Sequence, residues 1–346
     1  MDYLNTLTKM ASCECMDAYV AALRSAPLSL LVLGGLGTVV VLKYAMDLAK
    51  LVFNLTLRGG VNIKKFGAGT GAWAVITGAS DGIGKEFALQ LAQAKYNVVL
   101  SARTESKLNT LASEISSKYN VETKVVPFDY SHATSADYEK LGAELAPLKV
   151  TILVNNVGTN HEFPVSFVEE NPAVIESIVN VNIKSVMAVT RLVAPKMVAQ
   201  QQGLILNVGS FAGLMPQPLL SVYSASKAYL LTWSQAVGRE LAPHKVHVQC
   251  LSTYFVVSAM SKIRKSSWTI PTAHEYVRAA LRRLGNPGGA STPYTSSPYS
   301  AHAIMNWVID RVGSPSFWVN KAYATQASIR KRALAKKARE AGKKDN

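Results

Sequence analysis

The sequence predicts an α/β fold built on a doubly wound parallel sheet, with an N-terminal transmembrane helix ahead of it. Three observations predict this. Short apolar runs alternate with helical stretches from residue 73 onward, the pattern of a parallel sheet covered on both faces. A glycine cluster separates the first apolar run from the first helical stretch. Residues 25–42, SAPLSLLVLGGLGTVVVL, carry no charge and are bracketed by Arg24 and Lys43.

That uncharged stretch reaches about 27 Å as a helix, close to the hydrocarbon thickness of a bilayer. A cleaved signal peptide would begin with a short basic segment, whereas Asp2, Glu14 and Asp17 precede this one. A buried core helix would show a polar stripe, and none is present. Residues 44–57, YAMDLAKLVFNLTL, are interrupted only by Asp47 and Lys50 and extend the anchor to residues 25–57 as an interfacial or tilted continuation. Lys9 and Arg24 precede the span; Lys43, Lys50, Arg58, Lys64 and Lys65 follow it. The positive-inside bias therefore predicts a luminal segment 1–24 and a cytosolic domain after the anchor. The formal glycosylation sequon at Asn54 then faces the wrong side and reads as chance.

Net charge is +15, and it is uneven. Residues 321–346 hold nine Lys/Arg against two acids, which marks a basic tail suited to acidic lipid or a receptor. No zinc-finger or RNA-recognition motif points to nucleic acid. Cys13, Cys15 and Cys250 are the three cysteines, too few for a disulfide framework. Cys13-Glu14-Cys15 lacks a second ligand pair, so no metal site is expected.

After a Gly- and Lys-bearing linker at 58–71, strands are predicted at 73–77, 97–101, 124–127, 151–154, 204–208 and 246–250. Helices are predicted at 84–95, 172–199 and 222–241. The main domain is bounded at 72–320, and a last strand is hard to see in 294–320.

The first turn reads Gly78-Ala79-Ser80-Asp81-Gly82-Ile83-Gly84. Between a strand and a helix, such glycines let backbone approach a pyrophosphate at the helix N-terminus, as in a Rossmann-like sheet. An NAD site places an acid at the end of the second strand. Here Ser101, Ala102 and Arg103 stand there, with Lys107 following. A cation without an acid suits a 2′-phosphate and hence NADPH; the plain alternative is a solvated arginine. Asp129 follows the third strand and is placed near the adenine. Asn155-Asn156-Val157-Gly158 ends the fourth strand, at the sheet edge where ligands bind.

In SVYSASKAYL, residues 221–230, Tyr223 and Lys227 lie one helical turn apart. Alone, that spacing reads as a half-buried helix with a snorkelling lysine. Together with TGASDGIG at 77–84, NNVG at 155–158, Asn182 and Ser210 in NVGSFAG, it resembles the short-chain dehydrogenase/reductase family over about residues 73–254. Within that family the chain is similar to the membrane-bound very-long-chain 3-oxoacyl-CoA reductases of fungi, a group that overlaps with 17β-hydroxysteroid dehydrogenases. The N-terminal anchor, YFVVSAMSKIRKSSWTIP at 254–271 and the dilysine end carry that likeness.

The resemblance implies a catalytic set of Asn182, Ser210, Tyr223 and Lys227. Tyr223 would give the proton, its pKa lowered by Lys227; Ser210 would polarise the substrate carbonyl. Lys227 would hold the nicotinamide ribose, and Asn182 a water leading to solvent. It implies cofactor contacts at Gly78, Ser80, Asp81, Gly82, Ile83, Gly84, Arg103, Lys107, Asp129, Asn155, Asn156, Gly158 and Val256, besides Asn182, Tyr223 and Lys227. Ser210 and Tyr223 would also touch the substrate. Thr253 stands in CLSTYFVV near where many relatives have proline, and no contact is assigned to it.

A substrate lid is expected at about 254–290. Val277, Ala280, Leu281 and Leu284 repeat at helical spacing beside Arg278, Arg282 and Arg283. That helix either receives an acyl chain and CoA phosphates or simply packs on the domain. Lys343 and Lys344 stand fourth and third from the end, like a dilysine retrieval signal read by a coat receptor. The implied function is NADPH-dependent reduction of very-long-chain 3-oxoacyl-CoA at the endoplasmic reticulum membrane. The implied partners are the condensing elongase, the 3-hydroxyacyl-CoA dehydratase and the enoyl-CoA reductase. The alternatives are a hydroxysteroid or other lipid-ketone dehydrogenase, and a non-catalytic dinucleotide-binding scaffold.

Overall fold

The computed structural model describes residues 27–341 without a break, and 16–18, 20, 21 and 25 before them. Cys13, Cys15, Arg24, Lys343 and Lys344 lie outside the described residues, and so does most of the expected luminal segment. The chain forms two units, Met1–Phe53 and Asn54–Asn346.

Helix α1, Leu28–Thr56, dominates the first unit. Its most apolar window has a mean hydropathy of 1.9 and none of it is buried. By length and composition it can cross a bilayer. Thr38 Oγ1 donates to Gly34 O at 2.8 Å, which satisfies its hydroxyl inside the helix, as an apolar medium demands. Residues 172–199 pass the same length and hydropathy test, but 39% of that window is buried, so there the apolarity serves the core.

The second unit is built on a seven-stranded sheet in the order β3-β2-β1-β4-β5-β6-β7. The strands are β1 Trp73–Thr77, β2 Asn97–Ala102, β3 Thr123–Pro127, β4 Val150–Asn155, β5 Gly203–Val208, β6 Val246–Leu251 and β7 Thr295–Ser296. Every pairing is parallel. β1, β4 and β5 are buried along their whole length, which is why they read as continuous apolar runs rather than alternating ones. The chain winds outward from β1 through β2 to β3, then crosses to β4 and winds the other way. The crevice of a doubly wound sheet lies at that reversal, between the carboxyl ends of β1 and β4.

Helices α2 Gly82–Gln93 and α3 Glu105–Tyr119 cover one face; α4 Ser135–Leu145 and α6 Ser185–Ala199 cover the other. The stretch 172–199, predicted as one helix, is α5 Pro172–Val179, a π turn over Asn180–Lys184, and then α6. The short α7, Phe211–Leu214, and α8, Ser221–Leu241, follow β5. The elusive last strand is β7. It has two residues, too few to leave a pattern, and pairs with Cys250 and Leu251.

The segment 58–71 is packed rather than loose. Residues Ile63–Phe66 make a 3-10 turn capped by Asn62, and Phe66 is buried. Tyr96 Oη donates to Ile63 O at 2.7 Å. Asn54 Nδ2 donates to Gly288 O, so the sequon asparagine is spent on a domain loop.

Helix α9, Ala273–Arg282, packs its apolar face on the domain. Tyr276, Val277, Ala280 and Leu284 lie in the same buried cluster as Phe87 and Leu91 of α2. That apolar face is part of the core and is not open to an acyl chain. Arg283 is spent as well: its guanidinium donates to Pro298 O, Ser300 Oγ and Leu55 O.

Candidate active site

The glycine turn is shaped by backbone demands that only glycine meets. Gly78 and Gly82 have φ of +66° and +56°, the left-handed region. A Cβ on Gly84 would sit 2.2 Å from Gly78 O and 2.4 Å from Asn156 Nδ2. Asp81 caps α2, its Oδ1 accepting from Gly82 N at 2.7 Å, while Ser80 and Ile83 are half-buried on the turn. The α2 N-terminus therefore points its amides at the crevice, where an anion is favoured.

The paired asparagines after β4 brace this turn. Asn156 Nδ2 donates to Thr77 O and Gly78 O at 3.0 and 3.1 Å. Thr77 Oγ1 accepts from the amides of Asn156 and Val157. Asn155 is buried and donates to Thr190 Oγ1 and Asn207 Oδ1; Asn207 passes the bond on to Ser234 Oγ. Their side chains thus hold the walls of the crevice. Thr77, Asn207 and Ser234 were not singled out in the sequence, because small polar residues inside apolar runs carry no distinctive spacing.

At the far side, Arg103 is the exposed residue just past β2, and Lys107 is exposed on α3. Partial burial raises the Asp129 carboxyl, but bonds from Ser131 and His132 and the charge of Arg103 outweigh it, and the net shift is downward. Arg103 and Asp129 therefore sense each other at one rim. Val256 is buried in the core, and its carbonyl accepts from Ser261 Oγ. A contact from Val256 to a dinucleotide would need its backbone amide. A Cβ on Gly82 would come within 3.3 Å of Ser258 Cβ, which lays the loop after β6 across the glycine turn.

The four expected catalytic residues converge at the ends of β5 and α8 and on the π turn. Ser210 follows β5 and caps α7, its Oγ accepting from Ala212 N at 3.1 Å. Its side chain hydrogen-bonds Tyr223. Lys227 is 7% exposed and donates to Val208 O at 2.9 Å, with Nζ 5.8 Å from the centre of the Tyr223 ring. The Asn182 amide makes three of its four bonds: Oδ1 accepts from Thr159 N, and Nδ2 donates to Thr159 O and Ser226 Oγ, which leaves one lone pair on Oδ1. Ser226, one residue before Lys227, is a site member that the sequence reading missed. Thr253, buried, bonds the Tyr276 hydroxyl at 2.6 Å and is a packing residue.

Burial sets the ionisation of the pair. Burial raises the Tyr223 phenol, and the Ser210 bond only partly offsets it. Burial also depresses Lys227, to about 8, with the Cys250 charge opposing. Tyr223 is thus a protonated phenol near neutrality, the form an acid needs. Of the three ammonium protons of Lys227, Val208 takes one. Beside it, a Cβ on Gly158 would lie 3.8 Å from Nζ, an ordinary contact. Free donors next to a glycine-lined gap, at the mouth of a helix N-terminus, fit the ribose and pyrophosphate of a dinucleotide. Among the described residues, no group of three or more His, Cys, Asp or Glu is placed to hold a metal. Two cavities of about 240 and 370 Å³, which share Val61, Phe66, Lys245 and His247, lie at the amino end of β6, away from this crevice.

Residues 72–267 match the short chain dehydrogenase family model. The chain is 45% identical to a very-long-chain 3-oxoacyl-CoA reductase of Podospora anserina, over 89% of this chain and 91% of that one. It is 42% identical to the same-named protein of Aspergillus terreus, over 99% of both. Among solved structures, a Sphingobium yanoikuyae short-chain dehydrogenase in complex with NADPH has 28% identity and a TM-score of 0.56, covering 62% of this chain and 86% of its own. A metagenomic short-chain oxidoreductase in complex with NADP has 33% identity and a TM-score of 0.50, covering 53% and 81%.

Proposed function

Since the chain belongs to the short-chain dehydrogenase family and is an oxidoreductase that uses a nicotinamide dinucleotide, we propose that it reduces very-long-chain 3-oxoacyl-CoA to the 3-hydroxyacyl-CoA with NADPH. The observation that carries this is the Ser210–Tyr223–Lys227 group, with its phenol held protonated, in a chain similar to such reductases over nearly its full length. The bound cofactor supplies the hydride. Tyr223 gives its proton to the ketone oxygen. Ser210 Oγ accepts from Ala212 N and bonds Tyr223, and its one proton turns to that same ketone oxygen when substrate is bound. Lys227 holds ribose hydroxyls with its remaining donors. Asn182, whose Oδ1 keeps one lone pair beside the bond from Thr159 N and faces the Gly158 gap as Lys227 Nζ does, holds a water linking Lys227 to solvent.

Arg103 reads the 2′-phosphate, with no acid at the end of β2 to oppose it. Arg103→Ala is expected to raise the Michaelis constant for NADPH about tenfold or more while leaving that for NADH little changed, since one charge-assisted phosphate bond is lost. Equal effects on both cofactors would remove this role from Arg103.

The reading places α1 across the endoplasmic reticulum membrane, with the reductase domain of residues 72–320 and the dilysine end in the cytosol. There it works beside the condensing, dehydrating and enoyl-reducing enzymes of the same elongation cycle. A C-terminal tag on sealed microsomes should be removed by added protease; protection until detergent is added would reverse the topology.

A further inference from the structure

The basic tail is not free. After α10, Ser300–Arg311, it forms α11, Pro315–Ala341, and one face of it is docked: Ala322 and Gln326 are 4% and 8% exposed. Arg330 and Lys337 follow on that same face. Gln326 Nε2 donates to Gln217 Oε1 at 3.1 Å. Arg330 donates to Glu169 at 2.6 Å and to Pro164 O at 3.5 Å. Lys337 donates to Glu162 at 2.8 Å and stands 4.4 Å over the Phe163 ring.

All these partners lie on two loops, and both loops end in the catalytic group. The loop 159–170 begins at Thr159, which holds both ends of the Asn182 amide. It is closed on itself by the buried pair of His161 Nδ1 and Glu170. The loop 215–220 leads into α8 just before Tyr223, and Gln217 N donates to Ser224 Oγ beside that tyrosine. Val165 N donates to Leu219 O at 2.8 Å, joining the two loops. Lys262, from the loop after β6, donates to Glu162 O at 3.1 Å. Glu162 therefore receives cations from two separate elements, and its carboxyl is lowered by the Lys337 bond and by both charges.

We propose that α11 is the outer wall of the substrate cleft, and that Arg330 and Lys337 are positioning residues that hold loop 159–170 for a long acyl substrate. A lone surface ion pair contributes little to stability. Here two pairs and a cation–π contact act on one loop, on a helix whose inner face is already buried, so losing both releases the loop as a local unit. The acyl part of this inference rests on the function proposed above; the ordering of the loop does not.

The experiment uses the full chain in nanodiscs, with Arg330→Glu and Lys337→Glu combined. Amide exchange across 159–170 should rise about tenfold while that of β1 and α2 stays unchanged. The Michaelis constant for a long 3-oxoacyl-CoA should rise about fivefold, with kcat within about twofold and NADPH affinity unaltered. Adding Glu169→Arg should restore the share of both readouts that Arg330 carries, which a merely unstable variant would not allow; Glu162 is left in place because Lys262 faces it as well. Unchanged exchange, or no rescue by the charge swap, would overturn the proposal. If the wild type fails to turn over the acyl substrate, the acyl reading falls, and the exchange and rescue results still decide the role of the helix.

Discussion

Tyr223→Phe is expected to lower reductive turnover at least about a hundredfold, the lower range of general acid catalysis, while the affinity for NADPH stays within about twofold. Only the hydroxyl is removed. It is the one group at the end of α8 that is both protonated by burial and bonded to Ser210. The ring remains beneath Lys227, so the cofactor side of the site keeps its packing. Turnover retained within about tenfold would show that another group protonates the ketone.

Lys227→Met is expected to abolish turnover and, unusually for an active-site change, to raise the melting temperature of the cofactor-free protein by a few degrees. The cause is desolvation. The ammonium sits in a site that depresses it from 10.5 to about 8, and a thioether of similar length carries no charge to bury. The sign follows from proton linkage. Between about pH 8 and 10.5 the unfolded chain binds more protons at this position than the folded one, so stability rises with pH there. The part lost to the buried charge is fully regained above the unfolded pKa, and it disappears as pH falls through the folded one. The stability gap between wild type and Lys227→Met should therefore narrow as pH rises through that window. A constant gap, or a destabilised Met variant, would show that burial does not depress this lysine.

Much of this molecule was legible in its residues, for identifiable reasons. β1, β4 and β5 lie wholly inside, and their burial writes itself as mostly apolar runs without polar alternation. Gly78, Gly82 and Gly84 stand where backbone geometry or a neighbouring carbonyl excludes a side chain. The pairing of Tyr223 with Lys227 follows from helical pitch alone. What was not legible depends on partners distant in sequence. The apolar spacing of α9 identified a helix but not what it packs on, and α2 lies nearly two hundred residues earlier. Asn155 and Asn156 sit where ligand groups are expected, yet their side chains bind strands and turn to one another. The charge composition of α11 suggested a tail for acidic lipid or a receptor; the acidic partners it has in the fold, Glu162 and Glu169, stand about 160–175 positions away. Asn182 was recognised by motif, but nothing in its neighbours announces a π turn.

The central claim is tested most directly by giving the purified full-length protein, in nanodiscs with NADPH, a very-long-chain 3-oxoacyl-CoA and a 17-ketosteroid in parallel and following 340 nm absorbance. The account predicts that kcat/KM for the acyl-CoA exceeds that for the steroid at least about a hundredfold, a difference of about 2.7 kcal/mol in barrier. Equal rates, a preference for the steroid, or no NADPH oxidation with the acyl-CoA would contradict it.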